Sequence, residues 1–280
     1  DQIQSFSDEK KAELQALVDK IDNPLGTKTI TMKTIDDCVI IPYGYIFQEV
    51  WEKDGVITKY GDVFIAGYSN GGFNGGSQYQ GAGFVRQPLP QDVEFDYISG
   101  STGTLYARPK AGQSNVGGIS GSLDNYIFMW GGGQYGTFGN GTTSNSYIPQ
   151  FHQFPSRVSK IQAGVITRAY NDCYQSTLAL LENGDVWCCG SNWQAGLGLG
   201  NTTQTNSWTK NNTISGIKDI YMCRALVFAV GASSLYSWGE NVYGSCGNGG
   251  SGVVNTPRLA KSISSSAKVR FSVNGGYHDG

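Results

Sequence analysis

Gly239-Glu240-Asn241-Val242-Tyr243-Gly244-Ser245-Cys246-Gly247-Asn248-Gly249 is the clearest of four versions of one phrase in this chain. Gly190-Ser191-Asn192-Trp193-Gln194-Ala195-Gly196-Leu197-Gly198-Leu199-Gly200 is a second, and Gly131-Gly132-Gly133-Gln134-Tyr135-Gly136-Thr137-Phe138-Gly139-Asn140-Gly141 a third. Gly67-Tyr68-Ser69-Asn70-Gly71-Gly72-Phe73-Asn74-Gly75-Gly76 is a worn fourth. A phrase that recurs along a chain marks an array of similar structural units.

Outward from the phrase, one unit reads cleanly. Ile161–Gly164 is a first strand and Ser176–Leu181 a second; Asn183-Gly184 signals a type I′ hairpin, and Asp185–Gly190 is a third strand that ends in the phrase. The next unit runs in parallel, through Ile217–Tyr221, Leu226–Val230, a turn at Ala232-Ser233-Ser234, and Leu235–Gly239. An earlier one turns at Asp124-Asn125 into Tyr126–Gly131. The glycines suit left-handed backbone and close approach where the chain leaves one unit for the next. Asn192 and Asn241 suit side-chain hydrogen bonds to turn backbone. The residue before the first glycine (Ala66, Trp130, Cys189 or Trp238) fits a layer between units.

The N-terminal part differs. Residues 1–23 read as a helix: Ser7 is a good N-cap, Asp8 and Glu9 follow where the dipole favours negative charge, and Asn23-Pro24 stops it. Its short stripe of Leu14, Leu17 and Ile21 either docks on the domain or continues as a coiled coil. Thr27 to Met32, Cys38–Ile41 and Gly44–Trp51 have strand character, and Lys53-Asp54-Gly55 has the composition of a hairpin turn.

Composition excludes several classes. Of 280 residues 40 are glycine, without a collagen period, and Tyr, Phe and Trp are too frequent for a disordered glycine-rich tail. A net charge of −2 with only 15% charged residues leaves no basic stripe for nucleic acid. No apolar run is long enough to span a bilayer, and no signal peptide opens the chain. It begins on Asp1 rather than Met, so a chain that is processed, trimmed or part of something longer is expected. The six cysteines form no Cys-x-x-Cys pair, and with two histidines a structural zinc site is not expected; buried free thiols are.

Trp238-Gly239-x-Asn241-x-x-Gly244-x-x-Gly247-x-Gly249, preceded by Leu235-Tyr236-Ser237, resembles the repeat of the regulator of chromosome condensation 1 (RCC1) superfamily. Gly275-Gly276-Tyr277-His278 is similar to the Gly-Gly-x-His element that opens a second strand in such repeats. The resemblance covers residues 61–280. It departs from the pattern where Gly133 and Ser69 stand for the asparagine and Ala66 for the tryptophan. It implies an all-β fold, a β-propeller-like array of RCC1-type blades, here with a short N-terminal helix. The expected organisation is a helical connector over 1–26, a β segment over 27–60 and propeller repeats over 61–280. Family propellers usually have seven blades. Either more chain follows, or Val56–Thr58 and Asp62–Gly67 supply the hairpin that the unit beginning at Lys268–Phe271 lacks.

No catalytic constellation is legible: neither a nucleophile elbow nor a P-loop is present. His278 fits the repeat pattern, and His152 lies in what reads as a polar linker. Glu49, Glu52 and Asp54 near Trp51 read as a solvated hairpin before an acid or sugar site. The positions that vary between copies are the binding candidates: Asn70, Gln134, Tyr135, Trp193, Gln194 and Tyr243, with Tyr79 in the loop from Asn74 to Arg86. The stretches 100–118 and 201–212 read as further inter-blade loops. The expectation is a non-enzymatic, cofactor-free binding protein, virion-borne or extracellular. It recognises a host surface protein or glycan as the head of a phage tail fibre, with a homotrimer through the N-terminal helix, and neither binds nucleic acid nor inserts into a membrane. Alternatives are an RCC1-type intracellular scaffold or GTPase and chromatin regulator, a secreted enzyme inhibitor, and a polysaccharide-cleaving enzyme.

Overall fold

The computed structural model describes residues 38–42, 53–58, 60–67, 85–101, 103–169 and 172–271. Side chains of 38–42, 53–56, 66–67, 85, 167–169 and 172–173 are outside the description. The expected connector over 1–26, Asn70, Tyr79 and His278 lie outside the described residues.

These residues form four sheets of four antiparallel strands. The first sheet is β1 (Cys38–Pro42), β2 (Lys53–Thr58), β3 (Val63–Gly67) and β4 (Val85–Arg86). The second is β5 (Phe95–Gly100), β6 (Thr104–Pro109), β7 (Tyr126–Gly131) and β8 (Ser146–Gln153). The third is β9 (Val158–Ala169), β10 (Asp172–Leu181), β11 (Val186–Gly190) and β12 (Thr205–Lys210). The fourth is β13 (Asp219–Cys223), β14 (Leu226–Val230), β15 (Ser234–Gly239) and β16 (Val254–Ser262). In each, the strands pair in chain order, so every sheet is one continuous meander. β2 packs beside β5, β5 beside β9, and β9 beside β13, which sets the sheets in sequence as blades. The expected all-β, propeller-like array of RCC1-type blades is what the chain forms.

Each seam between blades has its own apolar core. Ile57, Val63 and Ile65 meet Phe95, Ile98, Leu105 and Trp130 at the first. Tyr106, Met129 and Phe138 meet Ile161, Ala179 and Trp208 at the second. Leu178, Cys188 and Leu197 meet Ile220, Val227 and Trp238 at the third. The middle strands are covered on both faces, so they read as continuous apolar runs; β7 is buried from Ile127 to Gly131. At ~1.5–3 kcal/mol per fully buried large side chain, these seams carry most of the favourable burial.

The fourth strand of each blade, and the second strand of the second blade, escaped the sequence reading. Thr205–Lys210, expected as loop, is β12, and Thr104–Pro109, also expected as loop, is β6, with Thr104 to Ala107 buried. The fourth strands are polar because they lie at the sheet edges, half-buried or exposed, which also tolerates Pro149 in β8 and Pro257 in β16.

Four more expectations change. The phrase does not lead from blade to blade; it joins the third strand of a blade to the fourth of the same blade. Asp54-Gly55 lies inside β2, opposite Ala66 and Ile65, and the turn is instead at 58–62, where Gly61 has φ 79°. Asn183-Gly184 closes its hairpin with Gly184 alone at positive φ (82°), its N–H donating to the Leu181 carbonyl at 2.9 Å. That is a type I turn followed by a left-handed glycine, not a type I′ turn. The hairpin of Val56–Thr58 and Asp62–Gly67 is flanked by β1 and β4 in its own sheet, so it is not available to the unit at Lys268–Phe271. Phe271 instead stacks on Tyr221, ring centroids 4.0 Å apart.

Candidate functional site

The three described phrases share one backbone. Gly131, Gly190 and Gly239 have φ 98°, 99° and 94°. The sixth residue has φ 81° (Gly136), 54° (Ala195) and 74° (Gly244), the ninth 61°, 69° and 64° (Gly139, Gly198, Gly247), and the eleventh 88°, 85° and 80° (Gly141, Gly200, Gly249). Left-handed backbone at fixed positions explains the glycines. The ladder to the fourth strand breaks at the residue just before the phrase in all three blades. Such irregularities re-aim a side chain, here Trp130, Cys189 or Trp238, into the seam toward the preceding blade.

The phrase asparagine holds the loop shut. Asn192 Oδ1 accepts from Leu197 N–H at 3.0 Å while its Nδ2 donates to the Asn201 carbonyl at 2.8 Å. Asn241 does the same with Cys246 N–H at 2.8 Å and the Gly250 carbonyl at 3.0 Å. Gly133 has no room for a side chain because a Cβ there would overlap the Ser144 carbonyl oxygen; Asn145 Oδ1 accepts the Gly133 N–H at 3.0 Å instead.

The phrases share a face with the hairpins between first and second strands, tied by Gly132 N–H to the Gly103 carbonyl, Ser191 N–H to Gln175, and Glu240 N–H to Ala225. Across this face runs an aromatic strip. Tyr135, from the second blade's phrase, stacks on Tyr174 of β10 at 4.7 Å, and Tyr174 stacks on Trp193 of the third blade's phrase at 5.4 Å. Trp193 is 40% exposed. Tyr135 sits at φ 60°, a conformation costing a residue with a Cβ ~1–2 kcal/mol.

A buried polar cluster anchors the strip. Ser101 Oγ donates to Gln175 Oε1, and Gln175 Nε2 donates to Tyr106 Oη and Thr177 Oγ1, both at 3.2 Å. Tyr106 Oη donates to the Thr137 carbonyl at 2.8 Å, and Thr104 Oγ1 bonds to Thr137 Oγ1 at 3.0 Å. Burial holds the Tyr106 phenol well above its ordinary pKa, against the lowering effect of its hydrogen bonds with Thr177, Thr104 and Gln175. The cluster ties β6 and its phrase to β10, directly behind Tyr174.

Of the residues expected at the site, Tyr135 and Trp193 are brought together, Gln134 is exposed beside Tyr135, and Gln194 is half-buried beside Trp193. Tyr243 is 96% exposed and touches no described ring. Tyr174 was not anticipated; its Tyr-Gln start to a strand, far from any phrase, gave no signal. Arg224, at φ 55°, was also missed; it pairs with Glu240 through Nε–Oε2 at 3.0 Å and Nη2–Oε1 at 3.2 Å. His152 is not in a linker: it lies in β8 with its ring 4.6 Å from Phe154, and burial lowers its pKa. Cys188, Cys189 and Cys246 are buried free thiols; burial pushes Cys188 up to about 12 and Cys189 well above the ordinary range. Among the described residues no three His, Cys, Asp or Glu side chains cluster as a metal site, and no helix is long and apolar enough to cross a membrane.

Residues 124–165 and 233–278 match the regulator of chromosome condensation (RCC1) repeat, and residues 174–192 match a second description of that repeat. Human HERC2, an E3 ubiquitin-protein ligase, is 26% identical over 142 residues, 49% of this chain and 3% of the ligase. Yeast RCC1 (Prp20), solved bound to Kap60, is 18% identical with a TM-score of 0.60, covering 78% of this chain and 50% of Prp20. Prp20p of Saccharomyces cerevisiae, solved in work on its binding to Gsp1p and histones, gives 18% and 0.60 over 77% of this chain. Human WBSCR16 gives 19% and 0.55, covering 77% of this chain and 55% of that protein. The chain thus spans about half the length of these solved propellers and a small part of the ligase. It carries RCC1 repeats folded as propeller blades.

Proposed function

We propose that this chain is a non-enzymatic recognition module that presents its phrase-bearing face to a partner. The observation that carries this is the strip Tyr135–Tyr174–Trp193, which crosses a blade seam on rigid loops. Tyr and Trp with few rotatable bonds make strong contact anchors at low entropic cost. The left-handed backbone at Tyr135 is strain of the kind that persists at binding sites. The partner class is a host surface protein or glycan, with Gln134 and Gln194 as neutral hydrogen-bonding groups beside the rings. In this reading the chain is a receptor-binding head, on a phage tail fibre or another extracellular adhesin, and residues 1–26 are its connector and trimer-forming segment. The low charge supports it, and the protonated buried thiols and the aromatic-packed His152 support a non-catalytic role.

A cell-surface and glycan binding screen with the intact protein tests it. Trp193→Ala and Tyr174→Ala lower binding at least tenfold while the unfolding transition stays cooperative. Binding unchanged by both substitutions overturns the assignment of this face.

The likeness to Prp20 favours a second reading, an intracellular scaffold or regulator of the RCC1 kind. Saturable binding to a small GTPase or to histones, without cell-surface binding, selects that reading instead.

A further inference from the structure

Charge divides this molecule between its two ends. The phrases and the stretches that lead from them to the fourth strands, residues 131–145, 190–204 and 239–253, contain one charged residue, Glu240. Arg224, in the β13–β14 turn of the same blade, pairs with it through two contacts at 3.0 and 3.2 Å. The opposite end carries ion pairs in number. Lys110 meets Glu94 at 2.7 Å, Arg108 and Arg157 share Asp96 at 2.8 Å, and Lys210 meets Asp185 at 2.8 Å. On the phrase-bearing face the exposed positions near the strip are instead amides and hydroxyls, among them Gln134, Asn140, Thr142, Asn201 and Gln204.

The same face is not flat. β9 and β10 have 12 and 10 residues, where β13 and β14 have 5 each. Each phrase is tied to the hairpin of its own blade, at Gln175 in the third and at Ala225 in the fourth. Ala225 lies in the turn itself, since Cys223 already pairs with Leu226. Beyond Gln175 the two strands run on through the pairs Tyr174–Ile166 and Cys173–Thr167 to Asp172–Ala169. They form a ridge roughly 10 Å high at ~3.3 Å per residue. Tyr174 stands at its foot, where it meets Tyr135 and Trp193 of the phrases. The strip therefore lines the angle between a wall and a floor, a concave shape of the kind that holds a ligand. The ridge adds one charge of each sign, Arg168 and Asp172.

We propose that the partner at this face is an uncharged glycan, a chain of neutral sugars lying in that angle; this rests on the recognition role assigned above to the strip. Sugar rings carry apolar C–H faces that pack on aromatic rings, and hydroxyls that exchange hydrogen bonds with amides. Tyr135, Trp193, Gln134 and Gln194 offer that combination within one small area. An acidic sugar would need a cation, and Arg224 is already engaged by Glu240. A protein partner draws its encounter rate and register from charges around an interface, and the charges of this molecule are concentrated at its other end. Covering the floor of the angle with a neutral ligand buries no unpaired ion.

Retention of the intact protein on immobilised neutral glucans, galactans and mannans, beside sialylated and sulfated glycans, tests this. The expected result is binding to a neutral glycan with an affinity that changes less than about twofold between low and high salt. Gln134→Ala and Gln194→Ala each weaken it about three- to tenfold, the worth of one hydrogen bond. Trp193→Ala weakens it about tenfold or more. Binding confined to acidic glycans, binding lost in high salt, or no binding to any neutral glycan overturns the proposal. So does cell binding that survives periodate oxidation of the surface sugars but not protease treatment. In that last case, sensitivity to Trp193→Ala leaves the recognition face in place with a protein as its partner. Binding to cells or glycans that neither Trp193→Ala nor Tyr174→Ala affects removes the face itself, and this proposal with it.

Discussion

Trp238 Nε1 donates to the backbone carbonyl of Gly196 at 2.9 Å, joining the fourth blade to the phrase of the third. The indole is fully buried, so the bond satisfies a group that could find no water. One seam earlier Cys189 reaches the Thr137 carbonyl, and Tyr106 donates to the same carbonyl. The seam thus keeps its acceptor while the donor changes.

Trp238→Phe retains most of the apolar contact but leaves the Gly196 carbonyl buried without its donor. Stability falls by about 1–3 kcal/mol. Trp238→Ala adds a cavity and costs about 3–5 kcal/mol. Denaturant unfolding followed by circular dichroism separates the two.

Asn241→Ala removes two loop bonds, to Cys246 N–H and the Gly250 carbonyl. The expected loss is about 1–3 kcal/mol, concentrated in the fourth blade. Amide exchange of residues 242–252 should accelerate before that of β10 and β11.

Gly133→Asn introduces the residue that stands at 192 and 241 in the later copies, yet it is expected to destabilise by at least about 1–3 kcal/mol. Its Cβ would overlap the Ser144 carbonyl oxygen. A thermal melt that rises for this variant refutes the packing described around Gly133.

His152 packs with Phe154 at 4.6 Å and with Trp208 of the next blade at 6.1 Å, and burial lowers its pKa from the ordinary 6.5. The unfolded chain therefore takes up this proton at a higher pH than the folded chain does. The associated stability is fully present above pH 6.5 and is lost as pH falls through the folded value. Melting curves from pH 7.5 to 5 should show a decline that His152→Gln reduces. Equal declines in both proteins refute this role for His152.

The repeat was legible because its physics is local. Left-handed φ at Gly131, Gly190 and Gly239 demands glycine whatever the surroundings, and Asn192 and Asn241 bond to loop backbone within a few residues, so each copy repeats the same letters. Three strands of the third and fourth blades were legible because burial on both faces makes them apolar, whereas in the second blade only Tyr126–Gly131 was read. β12 was not: its Ser and Thr side chains turn back on their own backbone, as Thr205 and Thr209 do to the Ser207 carbonyl, and that composition also describes a loop. At the candidate site, Tyr135 and Trp193 could be picked out because they vary within a fixed frame. Tyr174 could not, because only the fold brings β10 between two phrases.

By itself, then, the chain's order of residues determined the kind of unit and the backbone of its connecting phrase, since conformational preference and burial act residue by residue. Tertiary structure decided the rest. It placed the phrase within a blade rather than between blades, stacked Tyr135, Tyr174 and Trp193 into one strip, and left Tyr243 exposed apart from it. Those outcomes depend on which blade packs against which, a matter of distances between residues far apart in sequence.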